Sequence, residues 1–282
     1  MACFILNFLS LIDIGAMSIS LFNWAAIFLY LAASLYHGIN LWRSQAIRPV
    51  VFNSLGMLGL LAHLSGLMPQ LLTEQGLLLS FSHAASLIAA AVVLLTLIGS
   101  WLMPIRVLLA PLFALSALLV LSTIALPQGT VQLINEEPGI LCHILLSVLA
   151  YGMITIAVLQ SLVLLIQEQQ LRKRPVSKLI KHFPPLQSME KLLFAFLWAG
   201  WILLSLSLAS GWMFLEDIFA QHLAHKTSLA VMAWMVFAVL LWGRHQLGWR
   251  GHTAIRWTLA GFCLLMLAYF GSKLVREFIL NI

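Results

Sequence analysis

Three histidines are the residues of this chain best placed to do chemistry. His83, His143 and His225 each stand at the start of an apolar stretch, and these stretches alternate along the chain, so their first residues would share one membrane face. Neutral imidazoles on facing helices suit the axial positions of haem iron, while apolar side chains pack against the porphyrin and Lys226 lies near its propionates. The pattern predicts a haem site formed by the three histidines and Lys226, with His143 and His225 as ligands of the iron.

Other interpretations of these imidazoles stay open. A single histidine at a helix end is more often an interfacial anchor than a ligand. Zinc or another transition metal is an alternative cofactor, because His222 would supply a third imidazole beside His143 and His225. The cysteines form neither a CxxC motif nor a disulfide framework, and Cys142 is interpreted as a small buried hydrophobic residue.

The composition requires membrane helices to position these residues. The chain is 62% hydrophobic and 9% charged, with a mean hydropathy of +1.02. A backbone in lipid must satisfy its own hydrogen bonds, so apolar runs of about 20 residues form helices that cross the hydrocarbon core. The sequence therefore predicts an all-α membrane fold, a polytopic bundle of eight transmembrane helices. The predicted spans are residues 20–42, 50–68, 80–100, 105–126, 140–166, 191–214, 226–243 and 254–278.

The spans predict a single transmembrane domain over residues 1–282. Its parts are a five-helix part at 17–166, a basic cytoplasmic loop at 167–190 and a three-helix part at 191–282. Residues 1–16 lack the basic segment of a secretory signal peptide, and Met17 is an alternative start of the native chain.

Basic residues predict the orientation of the bundle. With eight spans, most of the 15 lysines and arginines fall on one side, which the positive-inside rule assigns to the cytoplasm. They are Arg43, Arg48, Arg106, Arg172, Lys173, Arg174, Lys178, Lys181, Lys191, Arg244, Arg250 and Arg256. Both termini are therefore expected to be extracytoplasmic. The net charge of +6 arises from this bias and favours contact with the lipid bilayer over nucleic-acid binding.

Two segments resemble a known family. The first is LCHILLSVLAYG at 141–152, and the second is the C-terminal segment at 224–275. Positions of the second that match recurrent residues of the family are Lys226, Trp234, Arg244, Gly248, Trp249, Arg250, Gly251, Tyr269, Phe270 and Gly271. On these residues the chain resembles the cytochrome c assembly integral membrane proteins of the CcsA and HemX types, and within them the YpjD-type bacterial inner-membrane proteins.

The resemblance implies a multi-pass protein of the bacterial inner membrane that binds or handles haem, with His143 as the ligand that it carries over. Members that attach haem to apocytochrome have a tryptophan-rich segment before the final helix pair, whereas the loop LEDIFAQHLAH contains no tryptophan, and Trp242 replaces a family histidine. We therefore expect an accessory or transport role at the extracytoplasmic face. The protein is not expected to be an enzyme, and its expected partners are cytochrome assembly or membrane transport proteins.

Two other functions are compatible with the sequence. A membrane transporter, or an accessory subunit of a metal-ion exporter without haem, needs a polar path through the membrane. The spans contain almost no acidic residues, although His37 and His63 could line a short path. A membrane scaffold with incidental histidines explains the composition and orientation but not the shared placement of the three histidines.

Overall fold

The computed structural model describes residues 2–43, 48–73, 76–103, 105–126, 133–134, 137–172, 183–214 and 221–271. Within this part of the chain, eight α-helices each contain a segment long and apolar enough to cross a membrane, which confirms the predicted fold class. The helices are α1 (Ala2–Trp42), α2 (Pro49–Leu71), α3 (Phe81–Leu102), α4 (Arg106–Ala125), α5 (Pro138–Arg172), α6 (Leu186–Phe214), α7 (Gln221–Gln246) and α8 (Gly251–Met266). A π-helical turn, Leu267–Gly271, continues α8.

Several helices extend beyond the predicted spans. Helix α5 runs on to Arg172 and α6 begins at Leu186, so both ends of the predicted 167–190 loop are helical. The segment QEQQLR can extend α5 because these residues are good helix formers, and Glu168 pairs with Arg172 one turn later at 2.7 Å. Residues 173–182 lie outside the described part of the chain. They include Lys173 and Arg174, the second and third residues of the basic run at 172–174.

The helices pack in two rings of four. In the first ring, α1 and α3 each contact both α2 and α4, and in the second, α5 and α7 each contact both α6 and α8. Helix α3 packs against α5 and joins the rings. The sequence grouped α5 with the first four helices because a long polar connection follows it, whereas its apolar faces pack mainly on α6, α3 and α8. Packing follows apolar faces and need not follow the lengths of connections.

An aromatic column fills the first ring. The rings of Tyr30 and Phe113 stack with centroids 5.7 Å apart, and Phe52 lies 5.3 Å from Phe113. His37 follows at 5.1 Å from Phe52. All four side chains are buried. Gly59 of α2 lies directly against the Tyr30 ring, which lets α1 and α2 approach closely.

Tryptophans join α6 to α7 in the second ring. Trp201 and Trp234 stack at 5.4 Å, and the Trp201 indole N–H donates to the carbonyl oxygen of Trp234 at 3.3 Å. The Trp234 indole N–H donates to the hydroxyl of Ser205 at 2.7 Å. These bonds satisfy indole groups that a hydrocarbon environment would leave without partners.

A small antiparallel sheet covers the end of the bundle at which α3 and α5 begin. Its strands are β1 (Leu72–Thr73), β2 (Gly76–Leu78) and β3 (Leu133–Ile134), in that order. Gly76 adopts φ +124°, which closes the turn between the first two strands. The sequence does not predict this sheet, because strands of two or three residues are too short to show an alternating pattern.

The close approach of α1 and α2 predicts different responses to two glycine substitutions. A Cβ at Gly59 would lie 2.8 Å from two atoms of the Tyr30 ring, whereas a Cβ at Gly38 would meet nothing within 4 Å. Gly59→Ala should therefore lower the free energy of unfolding by about 1–3 kcal/mol. Gly38→Ala should leave it unchanged or raise it by up to about 1 kcal/mol. Thermal unfolding of both variants in detergent measures this difference, and equal midpoints would contradict the packing described.

Candidate functional site

The three predicted histidines lie at the same end of the bundle. His83 is in the first turn of α3, and His143 and His225 are in the second turns of α5 and α7. Consecutive spans alternate in direction, so these three helices start on one side, which we call the histidine end. Helix α7 makes its main contacts with α6 and α8, so the convergence of all three imidazoles on one group stays a prediction.

His83 is fully buried and uses both ring nitrogens within the protein. The Ser80 hydroxyl lies 2.8 Å from Nδ1, and Nε2 lies 2.9 Å from Oε1 of Gln70 on α2. The amide of Gln70 is oriented by donation from its Nε2 to the carbonyl oxygen of Gly66 at 2.8 Å. Because the remaining amide oxygen can only accept, His83 donates from Nε2 and accepts at Nδ1. A metal would have to displace one of these bonds.

His143 is held differently, because contacts within the described residues engage only one of its nitrogens. Its Nδ1–H donates to the carbonyl oxygen of Ser207 on α6 at 2.9 Å and lies 3.2 Å from the Ser210 hydroxyl. Ser147, one turn along α5, bonds the Ser207 hydroxyl at 2.7 Å. A carbonyl oxygen only accepts, so the proton of the neutral ring is on Nδ1 and Nε2 carries a lone pair. Among the described residues, no hydrogen bond occupies Nε2.

His225 and Lys226 lie in the second turn of α7, at the histidine end. His225 is exposed, and Lys226 is half-buried with contacts of its own. Helices α5 and α7 occupy diagonal positions in the second ring, because each packs on α6 and α8. Diagonal helices of such a ring both border its interior, which is where bundles hold their cofactors.

The described residues contain no group of three or more His, Cys, Asp or Glu side chains arranged to hold a metal ion. The side chain of His222, the third imidazole of the zinc interpretation, lies outside the described part. Cys142 is exposed, so its interpretation as a buried residue is wrong. Neighbouring helical residues point about 100° apart, and since His143 faces α6, Cys142 turns toward the surface of the bundle.

Aromatic side chains line the histidine end between α3, α5 and α8. Tyr269 and Phe270, in the π-helical turn, pack edge to face against Tyr151 at 6.2 and 6.4 Å. Phe270 also packs against Phe81 of α3 at 5.2 Å. The Tyr151 hydroxyl donates to the carbonyl oxygen of Leu265 at 2.8 Å, immediately before the π turn. A π turn shifts the helical register and is often found at functional sites.

A groove of about 270 Å³ lies between α2 and α3, away from the histidines. Its lining is apolar and consists of Met57, Leu94, Leu97, Ile98, Trp101 and Leu102. Trp101 and Leu102 end α3 at the side opposite the histidine end, and both are largely exposed. This groove faces the surroundings of the bundle, and the Met57 thioether is the one group in its lining that could ligate a metal.

The sequence pattern does not mark Glu190, which anchors the turn between α7 and α8. Its buried carboxylate accepts from Arg250 Nε at 3.0 Å and from the backbone N–H of Gly251 at 3.2 Å. Nearby, Glu168 pairs with Arg172 and lies 3.6 Å from His252. The sequence did contain an indication of this role. Glu168 and Glu190 are the two acidic residues on the side to which most of the basic residues were assigned.

Comparison with known proteins places the chain among cytochrome assembly proteins. The family model described as "Cytochrome C assembly protein" matches residues 51–280. The chain is 31% identical over 245 residues to "Inner membrane protein YpjD" of Escherichia coli (strain K12), with 84% of this chain and 89% of the relative covered. It is also 23% identical over 147 residues to "Protein HemX" of Brevibacillus brevis, with 51% and 54% covered. No solved structure matches the chain significantly.

The Glu190 contacts predict that its charge fixes the α7–α8 turn. In Glu190→Gln, the pairing with Arg250 weakens, and we expect a loss of about 1–2 kcal/mol in unfolding free energy, since the arginine is partly solvated. Amide hydrogen exchange at Gly251 should accelerate. Glu137→Gln, at an exposed position at the start of α5, is the matched control and should change neither quantity. Unchanged exchange at Gly251 in Glu190→Gln would show that other contacts hold the turn.

Proposed function

Because this chain belongs to the cytochrome C assembly protein family, we propose that it binds haem at the histidine end of its bundle and handles it in the inner membrane. Membership of the family supports a haem-related assembly role in general. The chain is a multi-pass inner-membrane protein, with eight helices long enough to span the membrane in its described part. Its finer role, in our proposal, is accessory or transport, at the extracytoplasmic face.

The geometry of His143 is the observation that carries the proposal. An axial imidazole ligand must present a bare nitrogen to iron while the other nitrogen holds its proton in a fixed hydrogen bond. His143 meets both conditions, because Nδ1–H donates to the Ser207 carbonyl oxygen at 2.9 Å and Nε2 has its lone pair available. The Ser147 to Ser207 bond further ties α5 to α6 at this level. The ring is thus oriented before any ligand arrives.

The other predicted residues differ in how well they suit a haem-binding role. His225 is the preferred second ligand, because it is exposed on the diagonal helix α7 and no bond within the described part restrains its ring. Lys226, beside it, would face a propionate carboxylate. His83 is the least favourable ligand, since Ser80 and Gln70 already use its nitrogens. Its proposed contribution is therefore to fix the start of α3 beside the site.

The aromatic side chains at the histidine end fit a flat apolar cofactor. Tyr151 lies on α5, the helix that carries His143, and packs with Tyr269 and Phe270 of the π turn that continues α8. We call these three side chains the aromatic surface. When bound, haem would supply its own one-electron chemistry, and the protein would supply ligands, an apolar surface and protection from water. No catalytic residue is needed for this role, and we propose that the protein is not an enzyme.

Loss of His143 should abolish stable haem binding. We expect native protein purified after haem supply to show a Soret band that is lost in His143→Ala and reduced in His225→Ala. Adding free imidazole to His143→Gly should restore the band, because the small ligand replaces the missing axial nitrogen. The measurement is the visible spectrum together with the haem-to-protein ratio.

His245→Ala is the matched control, because His245 is exposed at the far end of α7. It should leave the spectrum unchanged. Equal haem occupancy in native protein and His143→Ala would refute the assignment of the ligand. Absence of haem at every loading, with stabilisation by a divalent transition metal, would favour the accessory subunit of a metal-ion exporter instead.

A further inference from the structure

The first ring of helices contains a buried histidine that bridges two hydroxyl groups. His63, beyond the middle of α2, is fully buried. Its Nε2 lies 2.7 Å from the hydroxyl of Ser86 on α3, and its Nδ1 lies 3.3 Å from the hydroxyl of Tyr30 on α1. One imidazole therefore connects three helices inside a part of the protein whose spans contain no Asp, Glu, Lys or Arg. An ionisable group at such a depth is costly to bury and usually has a function.

The two hydroxyls make His63 different from His83. Gln70 offers His83 a carbonyl oxygen that can only accept, so the proton of His83 is fixed on Nε2. Tyrosine and serine hydroxyls both donate and accept, and each tautomer of His63 can therefore keep both of its hydrogen bonds. When one nitrogen gains a proton and the other loses one, the two hydroxyls reverse and both hydrogen bonds are kept. This is the arrangement required for passing a proton through an imidazole.

Further buried polar groups lie on both sides of His63. With Ser86 and Tyr30 they form a line of polar groups through the first ring. Toward the histidine end, Ser82 lies one helical turn before Ser86 on the same face of α3, and its hydroxyl is 3.2 Å from that of Ser80. All three serines are buried. Along α1, His37 lies two turns after Tyr30, about 10 Å away by helical rise. The hydroxyls and imidazoles thus mark positions from the histidine end toward the opposite side.

His37 independently indicates that small polar molecules are needed to complete the hydrogen bonds along this line of polar groups. It is 2% exposed, and its Nδ1 is buried without a hydrogen-bond partner in the described part of the chain. A buried ring nitrogen without a partner costs about 1–3 kcal/mol, and water is the usual molecule that restores such a bond. Phe52 covers one side of the ring and Gly38 next to it leaves open space.

We propose that Ser86, His63 and Tyr30 form a proton relay within the first ring, and that His37 is the next group to receive the proton. A proton passes from the Ser86 hydroxyl to Nε2 as that hydroxyl takes a proton from a protonated water on the Ser82 side. The Nδ1 proton then passes to the Tyr30 oxygen, which releases its own proton to water. To reach His37, this water must lie beside the rings of Phe113 and Phe52. Each group ends with the number of protons it had, and His63 returns to the Nδ1-protonated tautomer, with both hydroxyls rotating, before the next proton passes. The relay uses none of the proposed haem ligands and does not depend on haem.

Proton flux into vesicles tests the relay directly. The full-length protein is reconstituted into phospholipid vesicles that contain a pH-sensitive dye, and a potassium diffusion potential drives protons inward. Native protein should acidify the vesicles faster than protein-free vesicles. His63→Gln keeps a donor and an acceptor but cannot exchange a proton, and it should reduce the flux to the protein-free rate. Tyr30→Phe and Ser86→Ala should do the same.

Ser100→Ala is the matched control for Ser86→Ala, because Ser100 is also a buried hydroxyl on α3. Its hydrogen bond among the described residues is to its own helix, at the carbonyl oxygen of Leu97 (2.7 Å). Its flux should equal that of native protein. Elution volume and thermal midpoint in detergent identify any variant that fails to fold. The relay is then tested with the substitutions at the other relay residues. Native flux at the protein-free rate, or undiminished flux in His63→Gln, would overturn the proposal.

Nitrogen NMR of histidine-labelled protein in detergent supplies a second measurement that needs no transport. His63 should show nitrogen shifts averaged between its two tautomers, whereas His83 should show one fixed tautomer protonated at Nε2. The His63 signals are assigned by their loss in His63→Gln. A single fixed tautomer at His63 would also overturn the relay.

Discussion

Imidazoles inside a lipid-embedded bundle depend on neighbouring helices or buried water for hydrogen bonds, because the hydrocarbon around the protein offers none. This requirement organises the interior of the molecule. His63 ties α2 to α1 and α3, His83 ties α3 to α2, and His143 ties α5 to α6. Each bond restricts the rotation of a helix, and the carbonyl acceptors of His83 and His143 also fix the tautomers of those two rings. The packing of the helices and the chemistry of the histidines are therefore consequences of the same contacts.

The two rings of helices use this requirement in different ways. In the first ring, His63 and His83 have both nitrogens engaged, and the surrounding aromatic column leaves little room for a large ligand. In the second ring, no hydrogen bond within the described part of the chain occupies the other nitrogen of His143. This difference is the reason for proposing a proton path in the first ring and a haem site in the second.

The far end of the bundle is held by charge rather than by imidazoles. Glu190 accepts bonds from Arg250 and Gly251 and so fixes the turn that precedes α8. Arg244 contributes by lying over the Phe194 ring at 4.6 Å and donating to the carbonyl oxygen of Trp249 at 3.2 Å. Because α8 carries Tyr269 and Phe270 at its other end, this turn also determines where the aromatic surface stands relative to His143.

The sequence alone determined the class of fold, the number of spans and the grouping of three histidines at one end, because hydropathy and span order depend only on local composition. It also indicated the family, through the segment around His143 and the C-terminal segment. It did not predict the short sheet or the anchoring role of Glu190. Tertiary structure alone decided which histidine nitrogens are engaged in hydrogen bonds. Gln70 and Ser207 are distant in sequence from the rings they contact, and no local pattern records which helix face meets which.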